Sequence, residues 1–178
     1  MLERIFFVCL FVSVSLSCSW MDHKFTQYSE KSLSLLDTMT NNSTNITENA
    51  EVNSVAFPHH LYTHASAASA EDRLGFMAQV LEEVVVVLEE DQSSVSWEKN
   101  PVEHFLNLLT KQVEGLRSCI TRQSHKKMNK KLHMYFKRLS RNIKEMGRTA
   151  EAWELVRKEI KLHLQRVHLL AASLITTY

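Results

Sequence analysis

Apolar residues recur at intervals of three and four over five stretches of the chain, the signature of helices that each bury one face. In the first, Met21, Phe25, Tyr28, Leu35/Leu36 and Met39 fall on one stripe, with a gap at Ser32. In the second, Leu74, Met77, Val80/Leu81, Val84 and Val87/Leu88 repeat. Ser69 is placed to cap its start, with Asp72 three residues on. The Val84–Val87 run favours strand by itself, but Leu81-Glu82-Glu83 and Leu88-Glu89-Glu90 continue the helical period on either side.

The third stretch opens with Asn100 as a cap residue, Pro101 at the first helical position and Glu103 completing a box-like pattern. Val102, Phe105/Leu106, Leu109, Val113, Leu116 and Ile120 mark its buried stripe, and Cys119 lies at its end. The fourth runs from about Ser124 to Met146, with Met128, Leu132, Tyr135/Phe136, Leu139, Ile143 and Met146 inward. Gly147 stops it, with Arg148 in reach of the last carbonyls. The fifth runs from about Thr149 to Leu174, with Trp153, Val156, Ile160, Leu164, Val167, Ala171 and Leu174 inward.

Residues 40–68 differ from the rest: they are polar, contain Pro58 and lack periodicity, and so read as a loop. A connection of this length can run the full length of a bundle and start the next helix in the same direction, whereas short links join antiparallel neighbours. The chain holds three glycines and two prolines in 178 residues, too few for the turns of an all-β fold. The expectation is an all-α fold, a five-helix cytokine-type bundle, up-up-down-down with a long crossover loop.

The N-terminus changes the count of mature residues. Met1-Leu2-Glu3-Arg4 is a short n-region, followed by an apolar run from Ile5 to Leu16. Twelve helical residues span only about 18 Å, against ~30 Å of membrane hydrocarbon, so the run reads as a signal peptide of a secreted, soluble protein. Ser15/Ser17 and Ser17/Ser19 both fit the small-x-small cleavage pattern, the first leaving Cys18 as the mature N-terminus and the second discarding it. In a secreted chain, the triplets beginning at Asn41, Asn42 and Asn45 fit the N-glycosylation pattern, with Asn45 favoured for its Thr, and require an exposed loop.

Charge is polarised. Residues 1–116 carry six Lys/Arg against sixteen Asp/Glu, and residues 117–178 carry fifteen against four. Such asymmetry fits acidic helices packed on basic ones or a basic face offered to an acidic partner. The run His125-Lys126-Lys127-Met128-Asn129-Lys130-Lys131, continuing to Lys137, Arg138 and Arg141, has the charge to hold nucleic acid or a sulfated sugar. Its apolar residues keep helical spacing, so the charges form the outer face of a packed helix, with heparan sulfate as the secondary option and nucleic acid set aside.

Catalytic patterns are missing: there is no Gly-rich phosphate loop, His-Glu-x-x-His, Gly-x-Ser-x-Gly or Cys-x-x-Cys. The chain reads as no enzyme and as needing no cofactor. His59, His60 and His64 invite a metal, but no carboxylate or thiolate accompanies them locally, and a solvated loop is the preferred reading. On the fifth helix, Glu154, Arg157, Lys158 and Lys161 are placed opposite the Trp153 stripe, either as a solvated face or as a contact surface pairing with partner carboxylates.

Two pieces of residues 135–160, Tyr135-Phe136-x-Arg138-Leu139 and Ala152-Trp153-Glu154-x-Val156-Arg157-x-Glu159-Ile160, resemble the most recognisable part of the type I interferons. Ser93-Ser94-x-x-Trp97 and Leu116-Arg117-Ser118-Cys119 are similar to segments around that family's third helix, in the same order. The resemblance is good from Trp97 to Ile160, weaker over the first two helices and not carried by the long loop. It implies a five-helix bundle and a disulfide between Cys18 and Cys119, hence a leader of 1–17 and a helical cytokine domain of 18–178. Many mammalian members carry a second bridge through a Cys just before Ala-Trp-Glu. Glu151 stands there, which resembles the two-cysteine subgroup of bony fishes.

The resemblance further implies a monomer that bridges two chains of a heterodimeric class II cytokine receptor, driving JAK-STAT signalling and an antiviral state. Neither membrane insertion nor nucleic acid enters this mechanism. The high-affinity chain would meet the first helix, the crossover and the last helix. Arg157 is the transfer by motif, and Lys158 and Lys161 follow from its face. The second chain would meet the second to fourth long helices. The rivals are another long-chain helical cytokine and a cationic helical binder of heparan sulfate or membranes.

Overall fold

The structure, a computed structural model, describes residues 18–39, 55–90, 97–120 and 128–175. The leader, Asn41, Asn42, Asn45, Lys126 and Lys127 lie outside the described residues. Within them every regular element is helical. A π-helical turn, Met21–Phe25, runs directly into α1, Thr26–Thr38; then follow α2, His59–Ser66, and α3, Ala70–Glu89. The remaining elements are α4, Lys99–Ser118, α5, Lys130–Glu145, and α6, Ala150–Ile175.

The five predicted helices are present, and a sixth, α2, occupies part of the stretch expected to be loop. Eight residues form a marginal helix alone. Tertiary packing holds this one: Leu61, Tyr62 and Ala65 are buried, and Tyr62 stacks on Phe57 with ring centroids 5.4 Å apart. His59, His60 and His64 are exposed on its surface, and among the described residues no group of three His, Cys, Asp or Glu side chains could hold a metal ion.

Partner pairs fix the directions. Ser29 meets His168 at 3.0 Å and Asp37 meets Lys161 at 2.6 Å, so α1 and α6 are antiparallel. Cys18 adjoins Cys119, and the Gln112 amide donates to Ser32 Oγ at 2.9 Å, so α1 and α4 are antiparallel too. Gln79 bonds Asn129, Glu83 bonds His133 and Ser140 donates to Glu90, each pair fifty residues apart, which makes α3 and α5 parallel. Glu90 at the end of α3 also faces Lys144 at the end of α5. Trp97, just before α4, packs edge-on against Trp153 in the first turn of α6. Arg73 near the start of α3 donates to Ser173 near the end of α6 at 3.0 Å, so α3 runs against α6. The helices α1, α3, α4 and α6 thus run up-up-down-down, with α5 alongside α3.

Local signals set most boundaries. Asp72 N–H donates to Ser69 Oγ at 3.2 Å while the Ser69 hydroxyl donates to the Asp72 carboxylate at 2.7 Å, a reciprocal cap on α3. Gly147 and Arg148 both adopt positive φ, 68° and 55°, and the Arg148 N–H closes on the Ile143 carbonyl at 3.0 Å. This left-handed closure ends α5 and turns the chain into α6. Thr149 Oγ1 then accepts from Ala152 N–H at 3.3 Å to start α6.

Two starts differ from expectation. The third long helix begins at Lys99 after Glu98, with no side-chain cap, so Asn100 lies within its first turn. Pro101 tolerates this because the first-turn N–H groups have no intrahelical acceptor. The fourth begins at Lys130 rather than near Ser124, because Asn129 Oδ1 accepts from Leu132 N–H at 3.1 Å. Met128, expected to face inward, is 51% exposed.

One core joins all the helices. Phe25, Leu36, Leu81, Phe105, Leu116, Leu132, Trp153 and Ile160 are essentially inaccessible within it. Each such side chain contributes roughly 1.5–3 kcal/mol by leaving water. The Ser32 gap in the first stripe is a buried polar pair: its hydroxyl accepts from Gln112 and donates to the Tyr28 carbonyl at 2.8 Å.

Candidate functional site

The seam between α1 and α6 gathers the charged residues singled out from the sequence. The Arg157 guanidinium donates twice to Glu154, at 2.8 and 2.6 Å, and once to the Leu36 carbonyl at 3.4 Å. It also lies 3.5 Å from Asp37, whose carboxylate takes a 2.6 Å bond from Lys161. Hydrogen bonding to Glu154 holds the Arg157 pKa above its usual value, against the opposing effect of burial.

Arg157 is therefore not on the outward face. Its side chain is 12% exposed, and the geometry explains why: four residues past Trp153, it sits only about 40° from the core direction at 100° per residue. Lys161 lies further round and is half-buried, while Lys158 is fully outward. Glu154 is tucked beneath the guanidinium and equally covered.

The face opposite the core carries a feature that the sequence reading did not single out. Leu155, Leu162 and Leu169 follow one another at seven-residue intervals on α6. Leu162 is 44% exposed, Leu169 more so, and Leu155 half-buried. Lys158 stands between the first two. The seven-residue spacing was the available signal, masked by the stronger core stripe on the other side. The result is an apolar strip flanked by cations, a composition suited to protein recognition.

At the other end of α1, Cys18 and Cys119 are neighbours. The Cys18 thiol lies 3.8 Å from the Cys119 carbonyl oxygen. Burial, together with a hydrogen bond to Cys18, pushes the Cys119 thiol up to about 12. Trp20 packs over Gly115 one turn before, and stacks on Tyr28 at 6.1 Å.

A third cluster lies beneath α2. His163 is fully buried and shares a 2.5 Å hydrogen bond between Nδ1 and the Tyr62 hydroxyl, while Nε2 has no partner among the described residues. The rings of Phe57 and Phe136 lie 4.6 and 4.7 Å from the imidazole. Burial lowers the His163 pKa to about 3 and raises that of Tyr62. Tyr135 donates to Glu159 at 2.9 Å, and burial raises the pKa of both. These groups are enclosed and lock α2 and α5 onto α6. Among the described residues no helix is long and apolar enough to cross a membrane.

Comparison with known proteins brings these features together. Residues 21–174 match the family model described as the Interferon alpha/beta domain. Interferon a3 of Oncorhynchus mykiss is 38% identical over 168 residues, covering 94% of this chain and 92% of that protein. The solved structure of zebrafish interferon 1 superposes with a TM-score of 0.74 at 28% identity, covering 87% of this chain and 98% of its own.

Proposed function

The chain belongs to the interferon alpha/beta family, the type I interferons, and is an interferon cytokine rather than an enzyme; from that premise we propose that it is secreted and acts by bridging two different chains of a class II cytokine receptor. Loss of residues 1–17 would leave Cys18 as the first mature residue, and residues 18–178 as the signalling domain. Bridging would bring receptor-associated kinases together, activate STAT factors and induce an antiviral state.

The observation that carries this reading is the α1–α6 seam. Asp37 and the Leu36 carbonyl from α1 are tied to Arg157 and Lys161 from α6, and Lys158 and Leu162 face outward on the same helix. In this reading Lys158, Lys161 and Leu162 touch the first receptor chain, and Arg157 contributes its edge while fixing Asp37 and the end of α1. Apolar Leu162 would be the anchor and the lysines its polar rim. The second receptor chain would meet α3, α4 and α5 on the far side.

The Cys18–Cys119 disulfide belongs to the same proposal, and so does the two-cysteine arrangement of the family's fish members. The side chains are adjacent, and closing a loop of about a hundred residues stabilises by up to ~4.7 kcal/mol in the chain-entropy account. Asn45, Asn42 and Asn41 are the proposed glycan acceptors.

Titration of soluble receptor ectodomains onto the purified protein tests the arrangement. Leu162→Asp and Lys158→Glu should each weaken binding of one chain by tenfold or more, leaving the other chain's affinity in place. Equal affinity of both variants and wild type for both chains would contradict it.

A further inference from the structure

The outer face of α5 is a continuous cationic surface that the receptor reading does not require. Helix Lys130–Glu145 holds six Lys/Arg and a single acid, Glu145. Lys130, Lys137, Arg141 and Lys144 share one side within about 60° of arc at 100° per residue, and Lys131 and Arg138 form a second row beside them. Fourteen residues separate Lys130 from Lys144, about 21 Å of helix axis. All six are exposed.

Little neutralises this face. Arg141 reaches Glu145 at 3.8 Å and Lys144 reaches Glu90 at 3.6 Å, both between exposed side chains. Lys130, Lys131, Lys137 and Arg138 make no ion pair among the described residues. On neighbouring α3, Glu82 pairs with Arg117 of α4, and Glu83 pairs with His133 of α5 and with none of the six cations. Like charges three and four residues apart destabilise a helix, so the row costs stability unless a counter-charge sits on it.

The face also defines its ligand by what it lacks. Tyr135 and Phe136 are buried, so neither of these rings is offered for base stacking, and the half-buried His133 imidazole is engaged by Glu83. Met134, 51% exposed, is the one large apolar side chain outward on α5, too little for a membrane-inserting wedge or a protein hot spot. A linear array of cations without an apolar anchor fits a linear polyanion held through its repeating charges. We propose that α5 binds a sulfated polysaccharide of the heparan class at the cell surface, which would retain the cytokine near its site of release. The cellular setting rests on the secreted reading above; the binding itself does not.

The purified chain is passed over immobilised heparin and over a plain sulfopropyl support, each eluted with a salt gradient. The expected result is later elution from heparin than from the sulfopropyl support. Replacing Lys130, Lys137 and Arg141 together with Gln should weaken heparin binding about tenfold at 0.15 M salt and flatten its salt dependence by two to three contacts. A charge-keeping variant, Lys130→Arg with Lys137→Arg, should retain it, and a control Gln triple at Lys24, Lys99 and Lys111 should change it little. Equal loss in both Gln triples, or equal elution of wild type from both supports, would overturn the assignment and return α5 to nonspecific charge. Because no receptor is present, failure here and failure of the receptor reading are separate results.

Discussion

Trp20 lies directly over Gly115, so that a β-carbon at residue 115 would run into the indole ring. The contact joins the start of the first helical segment to the last turns of α4, beside Cys18 and Cys119. It gives Gly115 a packing role rather than a conformational one.

Gly115→Ala would gain up to ~1 kcal/mol of helix propensity. Displacing the indole costs more, typically 1–3 kcal/mol for overpacking. The expected outcome is a lower melting temperature with an altered Trp20 emission spectrum. A variant that melts higher than wild type would show that the ring moves aside freely.

Arg157→Ala should destabilise the protein by about 1–3 kcal/mol, because it leaves the covered Glu154 carboxylate without its two donors. A double-mutant cycle in chemical denaturation, with Glu154→Ala, should return a coupling of at least ~1 kcal/mol. A coupling near zero would make the guanidinium pair incidental. Receptor affinity measured on the same folded variants separates direct contact from support: loss of binding in Lys158→Glu without loss of stability is expected, whereas Arg157→Ala should lose both.

His163 predicts an acid-side weakness. The unfolded chain takes up its proton near pH 6.5, but burial defers protonation of the folded form to about 3. Between these values the unfolded state binds more protons, so a contribution that is full above pH 6.5 declines as the pH falls. From pH 6.5 to 4.5 the loss is about 2 kcal/mol, since the slope reaches ~1.4 kcal/mol per unit only below the unfolded pKa. Glu159, raised by burial, contributes with the opposite sign in the carboxylate range. His163→Gln should therefore flatten the wild-type slope of stability against pH below 6.5. Parallel slopes for the two proteins would contradict the buried neutral imidazole.

The Cys18–Cys119 pairing predicts that intact mass of secreted protein begins at Cys18 and rises by two hydrogens on reduction. A mature chain beginning at Ser19 or Trp20, or an unchanged mass on reduction, would rule the bridge out.

The long helices and their core stripes were legible in the sequence because the three-four period depends only on local order: Trp153, Phe105 and Ile160 are all inaccessible where that period places them. What depended on distant partners was not. Ser32 read as a gap because Gln112 is eighty residues away. The stretch around Leu61 and Tyr62 reads as loop because its two turns are held by His163, a hundred and one residues on from Tyr62. Asn129 is held at the start of α5 partly because Gln79, fifty residues away, clamps its backbone at both N–H and carbonyl. The sequence expectation sets Arg157 opposite Trp153 on account of its charge, whereas four residues of helix bring it nearly back to Trp153. The leucine strip of α6 was present in the seven-residue spacing but overshadowed by the core.

STAT phosphorylation in receptor-bearing cells of the protein's own species, measured over a titration of purified folded protein, tests the central claim most directly. The account predicts a saturable, dose-dependent rise that Leu162→Asp shifts to at least tenfold higher concentration. No phosphorylation at saturating dose of folded protein would contradict it.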